Sequence, residues 1–293
     1  MHKESENSMI ALKYPLPDGF LNEETRRDYT ISSKMKQVWA VQLDLLQELL
    51  NVCDRHGLRI FADSGTLIGA VREKGFIPWD DDIDMTMLRE DYDKLMELAD
   101  EFKEPFFLQT MFTDEHYKGH AQLRMSGTLA LKKGEKKHKY HDGISIDIFV
   151  LDAWPNNPRA FKHHYKAIAK SKLRFKVVHK LTDKLPSALY RWCRNKTQVL
   201  SDKVLFNKHE DLLRSVPMDG RTNVGSLVCI RMSSPIKTLD CYDQTLYMLF
   251  EHIQIPVPVG YDELLRTEYG DYMKPVHAPT HHGTMVFSLT EDL

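Results

Sequence analysis

The amino-acid sequence predicts an α+β fold, in which helices pack on a small, mixed and twisted β-sheet and a mainly helical C-terminal part follows. Apolar residues recur at three- and four-residue steps over 22–56 and again over 91–102, which is the period of an amphipathic helix. Short runs with apolar residues at alternate positions lie between and after these helices, and this period is typical of half-buried strands. From residue 158 the composition becomes basic and compatible with helix.

The elements of the first half follow in a definite order. The helix over 22–56 ends at Gly57 and should serve packing rather than chemistry. A short strand in RIFAD comes next, then a turn entering a helix in SGTLIGAVREKG, a strand in DIDMTM and the helix over 91–102. FFLQT, AQLRM and SIDIFVLD are predicted as further strands. The stretch LKKGEKKHKYHDG is too charged for a core element, so we predict a mobile loop there.

Changes in composition divide the chain into three segments. We expect a polar N-terminal extension over 1–21, a catalytic core over 22–157 and a mainly helical part over 158–293 that completes the catalytic site. Within the last segment Pro186 should interrupt the helix. A Pro-bounded strand and a short helix are expected near its end.

Composition narrows the classes of function. The 293 residues are 42% hydrophobic and 28% charged, which is enough apolar content for a folded core and excludes a disordered chain. Forty basic and forty-two acidic side chains give a net charge of −2, which argues against a nucleic-acid partner. Apolar runs never approach the ~18 residues of a membrane span, so we expect neither a signal peptide nor an anchor. Four scattered cysteines without C-x-x-C spacing fit a reducing cytoplasm.

Acidic side chains on two predicted strands suggest a metal site. In DIDMTM, Asp82 and Asp84 share one face of the strand, because side chains alternate between faces. Two neighbouring anions raise each other's pKa unless a cation lies between them, and oxygen ligands suit Mg²⁺, or Mn²⁺, better than zinc. Asp147, inside the apolar strand SIDIFV, is the candidate third ligand. We expect Asp80 and Asp81 to cap or solvate the entrance of the strand.

A turn before the first acidic strand is a candidate phosphate site. Ser64, Gly65 and Thr66 lie between a predicted strand and a predicted helix, where free backbone N–H groups and the helix dipole favour phosphate. Arg72, in the helix that follows, and Arg124 are candidates to bind phosphate through two parallel N–H···O hydrogen bonds.

These motifs resemble the LicD family of phosphotransferases, which belongs to the nucleotidyltransferase superfamily and is related to fukutin-type proteins. The segment SGTLIGAVREKGFIPWDDDIDM (64–85) is very close to the hallmark of that family, and GISIDIFVLDAWP (143–155) is similar to its second motif. A third resemblance lies in VPVGYDELLRTEYGDYMKP (257–275), although relatives continue after GDYM with two prolines, where this chain has Lys274 and Pro275.

The resemblance implies a nucleotidyltransferase-like catalytic core that transfers a phospho-alcohol, typically phosphocholine from CDP-choline, to a sugar hydroxyl of a cell-surface glycan or its lipid-linked precursor. It implies that Asp82, Asp84 and Asp147 bind Mg²⁺ and carry out catalysis, and that Gly65 and Thr66 hold the phosphate of the donor. The acceptor glycan, the choice among choline, ethanolamine, ribitol and glycerol, and a peripheral contact with the inner face of the membrane stay open.

Two other interpretations compete with this one. Metal-dependent glycosyltransferases also use D-x-D to hold the diphosphate of a nucleotide sugar, but they usually place it after a larger nucleotide-binding half. A relative without catalytic activity could use the same pocket to bind a nucleotide or a glycan. Loss of an acid would be the usual mark of such a relative, and Asp82, Asp84 and Asp147 are all present.

Overall fold

The computed structural model describes residues 11–114, 119–182, 202–218, 223–227, 237–276 and 285–290. In these ranges the α-helices are α1 (Ser33–Arg55), α2 (Ser64–Ile68), α3 (Arg89–Glu97), α4 (Pro158–Thr182), α5 (Asp202–Leu213) and α6 (Tyr261–Tyr269). The strands of the first half are β1 (Glu24–Arg26), β2 (Tyr29–Ile31), β3 (Phe61–Ala62), β4 (Asp84–Leu88), β5 (Phe106–Gln109), β6 (Ala121–Met125), β7 (Leu129–Lys132) and β8 (Ser145–Ala153). Those of the second half are β9 (Asn223–Gly225), β10 (Lys237–Thr238), β11 (Thr245–Phe250), β12 (Ile253–Pro258) and β13 (Met285–Ser288). The predicted α+β class is confirmed.

The first helix is shorter than predicted. It begins at Ser33, because Ser32 caps it by accepting a hydrogen bond from the Met35 N–H at 3.2 Å. The preceding residues form the hairpin β1–β2 instead, with Arg27 and Asp28 at positive φ in its turn. The periodic apolar residues of α1 are buried, as expected for a helix that packs on a sheet.

The central sheet is mixed and is organised around β8. The first part of this nine-residue strand lies between β4, which is parallel to it, and β6, which is antiparallel. Strand β3 pairs with the other edge of β4, and β5 pairs with β6. Because β4 and β8 run parallel and side by side, acids at the start of one meet acids at the start of the other.

Beyond residue 158, the described residues form the three helices α4, α5 and α6 and the five short strands β9 to β13. Helices α4 and α5 fit the prediction, but β9 and β10 extend the central sheet, β11 and β12 form a hairpin, and β13 pairs with β7. Helical residues outnumber strand residues in these ranges, and the division of the chain into a core and a mainly helical C-terminal part stays a prediction. Strands β9, β10 and β13 join sheets that contain strands of the first half, whereas β11 and β12 form a separate two-stranded sheet. Pro186 lies outside the described residues.

One extended apolar core joins α1 to the central sheet and to the β11–β12 hairpin. Trp39 of α1 stacks on Phe76 with ring centroids 4.4 Å apart, and Phe76 in turn contacts Phe250 of β11. The loop predicted from its charge spans the end of β7 and an irregular segment, in which Asp142 accepts hydrogen bonds from His138. None of the helices in the described ranges combines the length and the apolarity needed to cross a bilayer.

Candidate active site

The parallel pairing of β4 and β8 brings together acids that are far apart in sequence. Asp84 and Asp147 are direct register partners, and the N–H of Asp147 donates to the carbonyl of Ile83 at 2.9 Å. Asp82 lies just before β4 and acts electrostatically on Asp84, as Asp147 does. Asp84 and Asp147 therefore lie side by side with Asp82 nearby, and the role of the three as metal ligands stays a prediction.

Two neighbouring acids enlarge the cluster. Asp80, Asp81 and Asp82 each offer a carboxylate oxygen, and these three oxygens lie within 4.8 Å of one another. Asp80 and Asp81 are only 7% and 6% exposed. The geometry therefore makes both of them candidate ligands, in addition to the capping role expected from sequence.

Side chains of α1 and α2 hydrogen-bond to the backbone of the acidic segment (residues 80–84) and hold it in place. The indole of Trp39 donates to the carbonyl of Asp80 at 3.0 Å, and the amide of Gln42 donates to the carbonyl of Asp81 at 2.8 Å. The N–H of Asp84 donates to the hydroxyl of Thr66, which is buried, at 2.9 Å. The carboxylates are thus held by an anchored backbone, which limits how far they can separate.

The carboxylates of the cluster repel one another electrostatically. Burial raises the pKa of Asp84 well above its ordinary value, and the nearby charges of Asp82, Asp147, Asp63 and Asp80 raise it further. A cation among these groups would remove that penalty. Carboxylate oxygens are the donor set that Mg²⁺ and Mn²⁺ prefer, so the residues present fit a divalent cation.

Asp147 is held on both of its carboxylate oxygens. His120 bonds to Oδ2 through Nε2 at 3.0 Å, and the side-chain amide of Gln122 donates to Oδ1. Gln122 is the register partner of Asp147 on β6, so the sheet itself sets this contact. His120 also packs against Phe149, with ring centroids 4.4 Å apart. This arrangement fixes the orientation of the Asp147 carboxylate.

Arg124 supports this arrangement through a network of hydrogen bonds. Its guanidinium donates to the side chains of Gln122 and Gln109 and to the carbonyl of Gly143, each at 2.6 Å. The residue is 6% exposed. The guanidinium thus belongs to a buried hydrogen-bond network that positions Gln122, and through it Asp147, while the predicted phosphate contact of Arg124 stays a prediction.

Arg72 is engaged in a similar way. It donates to the carboxylate of Glu73 and to the backbone carbonyl of Tyr272, both at 2.5 Å, and its side chain is 6% exposed. These bonds tie the helical turn after α2 to the segment that follows α6. The sequence pattern correctly placed Arg72 after the SGT turn, but it could not show that Glu73 and Tyr272 occupy the guanidinium.

Carboxylates lie next to the turn formed by residues 64–66, the SGT turn. Asp63 caps α2 by accepting from the N–H of Ser64 at 2.9 Å, and Ser64 has a φ of 49°. A Cβ added to Gly65 would lie 2.6 Å from Oδ2 of Asp80, so Gly65 gives room to that carboxylate. The predicted roles of Ser64, Gly65 and Thr66 in holding phosphate stay predictions. The observed contacts of these residues include those to Asp63, Asp80 and Asp84, and the side chain of Ser64 also hydrogen-bonds to Tyr269.

A cation reaches the same region from the C-terminal half. Lys237 of β10 bonds to Asp63 at 3.1 Å and to Glu268 of α6 at 3.2 Å. Burial by itself lowers the pKa of Lys237, but the charges of Asp63, Tyr242 and Glu268 outweigh that effect and hold the pKa above its ordinary value. The ammonium group is therefore charged beside the acidic cluster.

Sequence reasoning missed four residues of this region, which are Asp63, His120, Gln122 and Lys237. Gln122 could have been found, because it alternates with Arg124 in a predicted strand and must share a face with it. Asp63 is the last residue of the predicted strand RIFAD, at the position that caps the next helix. Nothing in the local sequence distinguishes His120 or Lys237 from other polar residues.

A mixed sheet that converges carboxylates from two adjacent strands, beside buried supporting polar groups, defines a candidate centre for a divalent cation. Residues 57–187, which include every acid of the cluster, match the family model described as LicD/FKTN/FKRP, nucleotidyltransferase domain. The chain therefore contains a LicD family domain, and the recognition made from its motifs is confirmed.

Similarity to individual proteins extends beyond that domain. The lipopolysaccharide cholinephosphotransferase LicD of Haemophilus influenzae is 29% identical over 266 residues, which cover 82% of this chain and 91% of the relative. Two uncharacterized proteins match a shorter stretch of 85 residues, or 29% of this chain. RP689 of Rickettsia prowazekii is 33% identical and is covered to 30%, and RT0683 of Rickettsia typhi is 32% identical and is covered to 26%.

Proposed function

We propose that this protein transfers phosphocholine, or a similar phospho-alcohol, from its CDP ester to a sugar hydroxyl of lipopolysaccharide or of a lipid-linked glycan precursor. The observation that carries the proposal is the pairing of Asp84 with Asp147 on adjacent parallel strands, within the matched LicD family domain. The similarity to the cholinephosphotransferase of Haemophilus influenzae over most of both chains supports the choice of headgroup and acceptor.

A divalent cation is part of the proposal. Asp82, Asp84 and Asp147 would hold Mg²⁺, or Mn²⁺, and the raised pKa of Asp84 supports a site that needs a counter-charge. When bound, the cation would neutralise charge on the phosphate oxygens of the donor and favour departure of CMP.

The residues of the chain have separate tasks in the proposed reaction. The oxygen of the acceptor hydroxyl forms a bond to the phosphorus of phosphocholine, while the bond from that phosphorus to the oxygen of CMP breaks. Asp147 orients the hydroxyl and takes up its proton. His120 and Gln122 hold Asp147 in place through one bond to each carboxylate oxygen. Such phosphoryl transfer depends on positioning and charge, so no covalent intermediate with the protein is needed.

Lys237 limits the negative charge that an anionic donor would meet. Its bonds to Asp63 and Glu268 offset two carboxylates next to the cluster. We assign to Lys237 the neutralisation of these two carboxylates, and the phosphate contacts expected of Arg72 and Arg124 stay predictions. We further place the reaction at the cytoplasmic face of the membrane, since the proposed acceptor is a lipid or is carried by one.

The test is a product analysis with purified protein. The protein is incubated with Mg²⁺, lipopolysaccharide that lacks phosphocholine, and one of CDP-choline, CDP-ethanolamine, CDP-ribitol or CDP-glycerol. We expect CMP release and a matching mass gain of the acceptor with CDP-choline, and loss of both in EDTA. Parallel reactions with UDP-sugars test the alternative of a glycosyltransferase. Hexose transfer without CMP release would refute the proposal.

Two variants separate a catalytic effect from a general one. Asp84→Asn keeps the shape of the side chain but removes its charge, and we expect it to abolish transfer. Asp211→Asn makes the same change at an exposed position of α5, and we expect it to leave transfer unchanged. Full activity in Asp84→Asn, with the fold of both variants verified by circular dichroism, would overturn the assignment of the site.

A further inference from the structure

Helix α4 carries a charge that contrasts with the rest of the chain. Pro158–Thr182 contains eight lysine and arginine residues and no aspartate or glutamate, although the whole chain has a net charge of −2. A helix of 25 residues is about 37 Å long at 1.5 Å per residue. The excess positive charge is therefore spread along one extended surface element.

The cations of α4 lie on its exposed face. Lys162, Lys166, Lys170 and Arg174 follow one another at four-residue steps, and all four are exposed, as is Arg159 at the start of the helix. Like charges at this spacing repel and destabilise an isolated helix by about 0.2–0.5 kcal/mol per pair. In the described ranges none of these five side chains forms an ion pair. The row of charge is thus left available for an external partner.

Apolar side chains accompany the same face. Leu173 is 63% exposed and Val177 is 48% exposed, next to Arg174. The opposite face of α4 packs on α5, where Ile168 joins a small buried cluster with Leu213 and Ser171 bonds to His209. The exposed face is therefore basic along its length and partly apolar toward its C-terminal half, while the other face is tied to the fold.

We propose that the exposed face of α4 docks the protein onto an anionic lipid bilayer. Lysine and arginine side chains near such a surface attract its phosphate headgroups, and exposed leucine and valine side chains can enter the boundary of the acyl chains. A nucleic acid would also attract the cations, but it offers no apolar region to Leu173 and Val177. The inference specifies the surface and the lipid charge for the membrane location suggested under the proposed function.

The experiment measures co-sedimentation of the full-length protein with vesicles of phosphatidylcholine alone, and with vesicles of phosphatidylcholine mixed with phosphatidylglycerol. We expect binding to the mixed vesicles only, weakened by NaCl. One variant carries four changes on α4, namely Lys162→Gln, Lys166→Gln, Lys170→Gln and Arg174→Gln. Because each cation near an anionic surface contributes about fivefold to partitioning, this variant should bind about a hundredfold or more weakly.

A matched control removes the same charge from other exposed positions. It carries Lys94→Gln, Lys103→Gln, Lys133→Gln and Lys136→Gln. This control should lose much less affinity, and Leu173→Asn with Val177→Asn should lose mainly the binding that survives high salt. Equal losses in the two quadruple variants would overturn the proposal, as would a lack of binding by the wild type, or tighter binding to a DNA duplex than to the mixed vesicles at the same salt.

The assay needs neither donor nor acceptor, so its outcome is independent of the proposed transfer. The inactive Asp84→Asn variant should bind the mixed vesicles as the wild type does. Conversely, the quadruple variant of α4 should retain transfer to a detergent-solubilised acceptor, because the changed residues lie outside the acidic cluster. A failure of vesicle binding would leave the catalytic proposal unaffected.

Discussion

Replacing Thr66 by valine removes one hydroxyl while nearly conserving the shape of the side chain. Thr66 is 3% exposed, and its hydroxyl accepts the hydrogen bond from the backbone N–H of Asp84 at 2.9 Å. A buried donor that loses its partner costs about 1–3 kcal/mol of stability. For a chain of this size we expect a fall in melting temperature of roughly 2–6 °C. Because Asp84 begins β4 at this bond, its carboxylate should also become less well fixed.

The matched control is Thr66→Ser, which keeps the hydroxyl and removes a buried methyl group at a cost of about 1 kcal/mol. The two variants should therefore lose comparable stability, measured by thermal unfolding. We expect only Thr66→Val to weaken the binding of Mn²⁺, measured by titration calorimetry, and to lower kcat/KM for CMP release about tenfold or more. The comparison thereby separates the effect of Thr66 on the stability of the protein from its effect on the position of Asp84.

Two outcomes would refute this reasoning. If serine and valine reduce activity equally, Thr66 contributes packing and does not position Asp84. If valine leaves Mn²⁺ affinity unchanged but raises KM for the donor, the hydroxyl contacts the phosphate of the donor, as the sequence motif alone had suggested.

Three further predictions concern the charges around the cluster. Since the pKa of Asp84 is raised in the metal-free fold, the stability of that fold falls as pH rises from about 4, the unfolded value, through the folded pKa. In EDTA at neutral pH, Asp84→Asn should therefore have a higher melting temperature than the wild type, whereas below pH 4 the two should melt at the same temperature. Equal melting temperatures at neutral pH would contradict the claim that burial and the neighbouring carboxylates raise the pKa of Asp84. Lys237→Met should raise KM for the donor about tenfold and Lys237→Arg should restore most of the loss, whereas an unchanged KM in the methionine variant would leave Lys237 a structural role only. Gly65→Ala should displace the carboxylate of Asp80 and weaken Mn²⁺ binding, since its Cβ would lie 2.6 Å from Oδ2; unchanged affinity would remove Asp80 from the candidate ligands.

Local patterns predicted the parts of the fold that depend on nearest neighbours. The alternation in DIDMTM and SIDIFV correctly gave β4 and β8 and the faces on which Asp84 and Asp147 lie. The apolar period of α1 was correct in kind but extended too far toward the N-terminus, because the β1–β2 hairpin precedes a serine cap that only the backbone reveals. Periodicity identifies an element more securely than it locates its ends.

Contacts between distant segments could not be predicted in the same way. Arg124 and Arg72 have the charge for a phosphate, but tertiary packing brings glutamines, carbonyl groups and Glu73 to their guanidinium groups. Lys237 lies 174 positions from Asp63, and its strand β10 joins the central sheet through β9 and β8, a pairing that no local pattern indicates. Such partners depend on topology, which a single sequence specifies only through the complete fold.

The anchoring of the acidic segment explains how a stable protein can maintain carboxylates so close together. Repulsion alone would drive residues 80–84 apart, but Trp39 and Gln42 hold the carbonyls of Asp80 and Asp81 from a helix that is itself deeply buried. The apolar contacts of α1 thus offset the electrostatic cost of the cluster before any cation arrives. In a reaction that depends on positioning and charge, groups fixed in advance avoid the cost of reorganisation when the substrate binds. Loss of an anchoring hydrogen bond should therefore reduce activity more than loss of a buried methyl group does. The comparison of Thr66→Val with Thr66→Ser measures that difference.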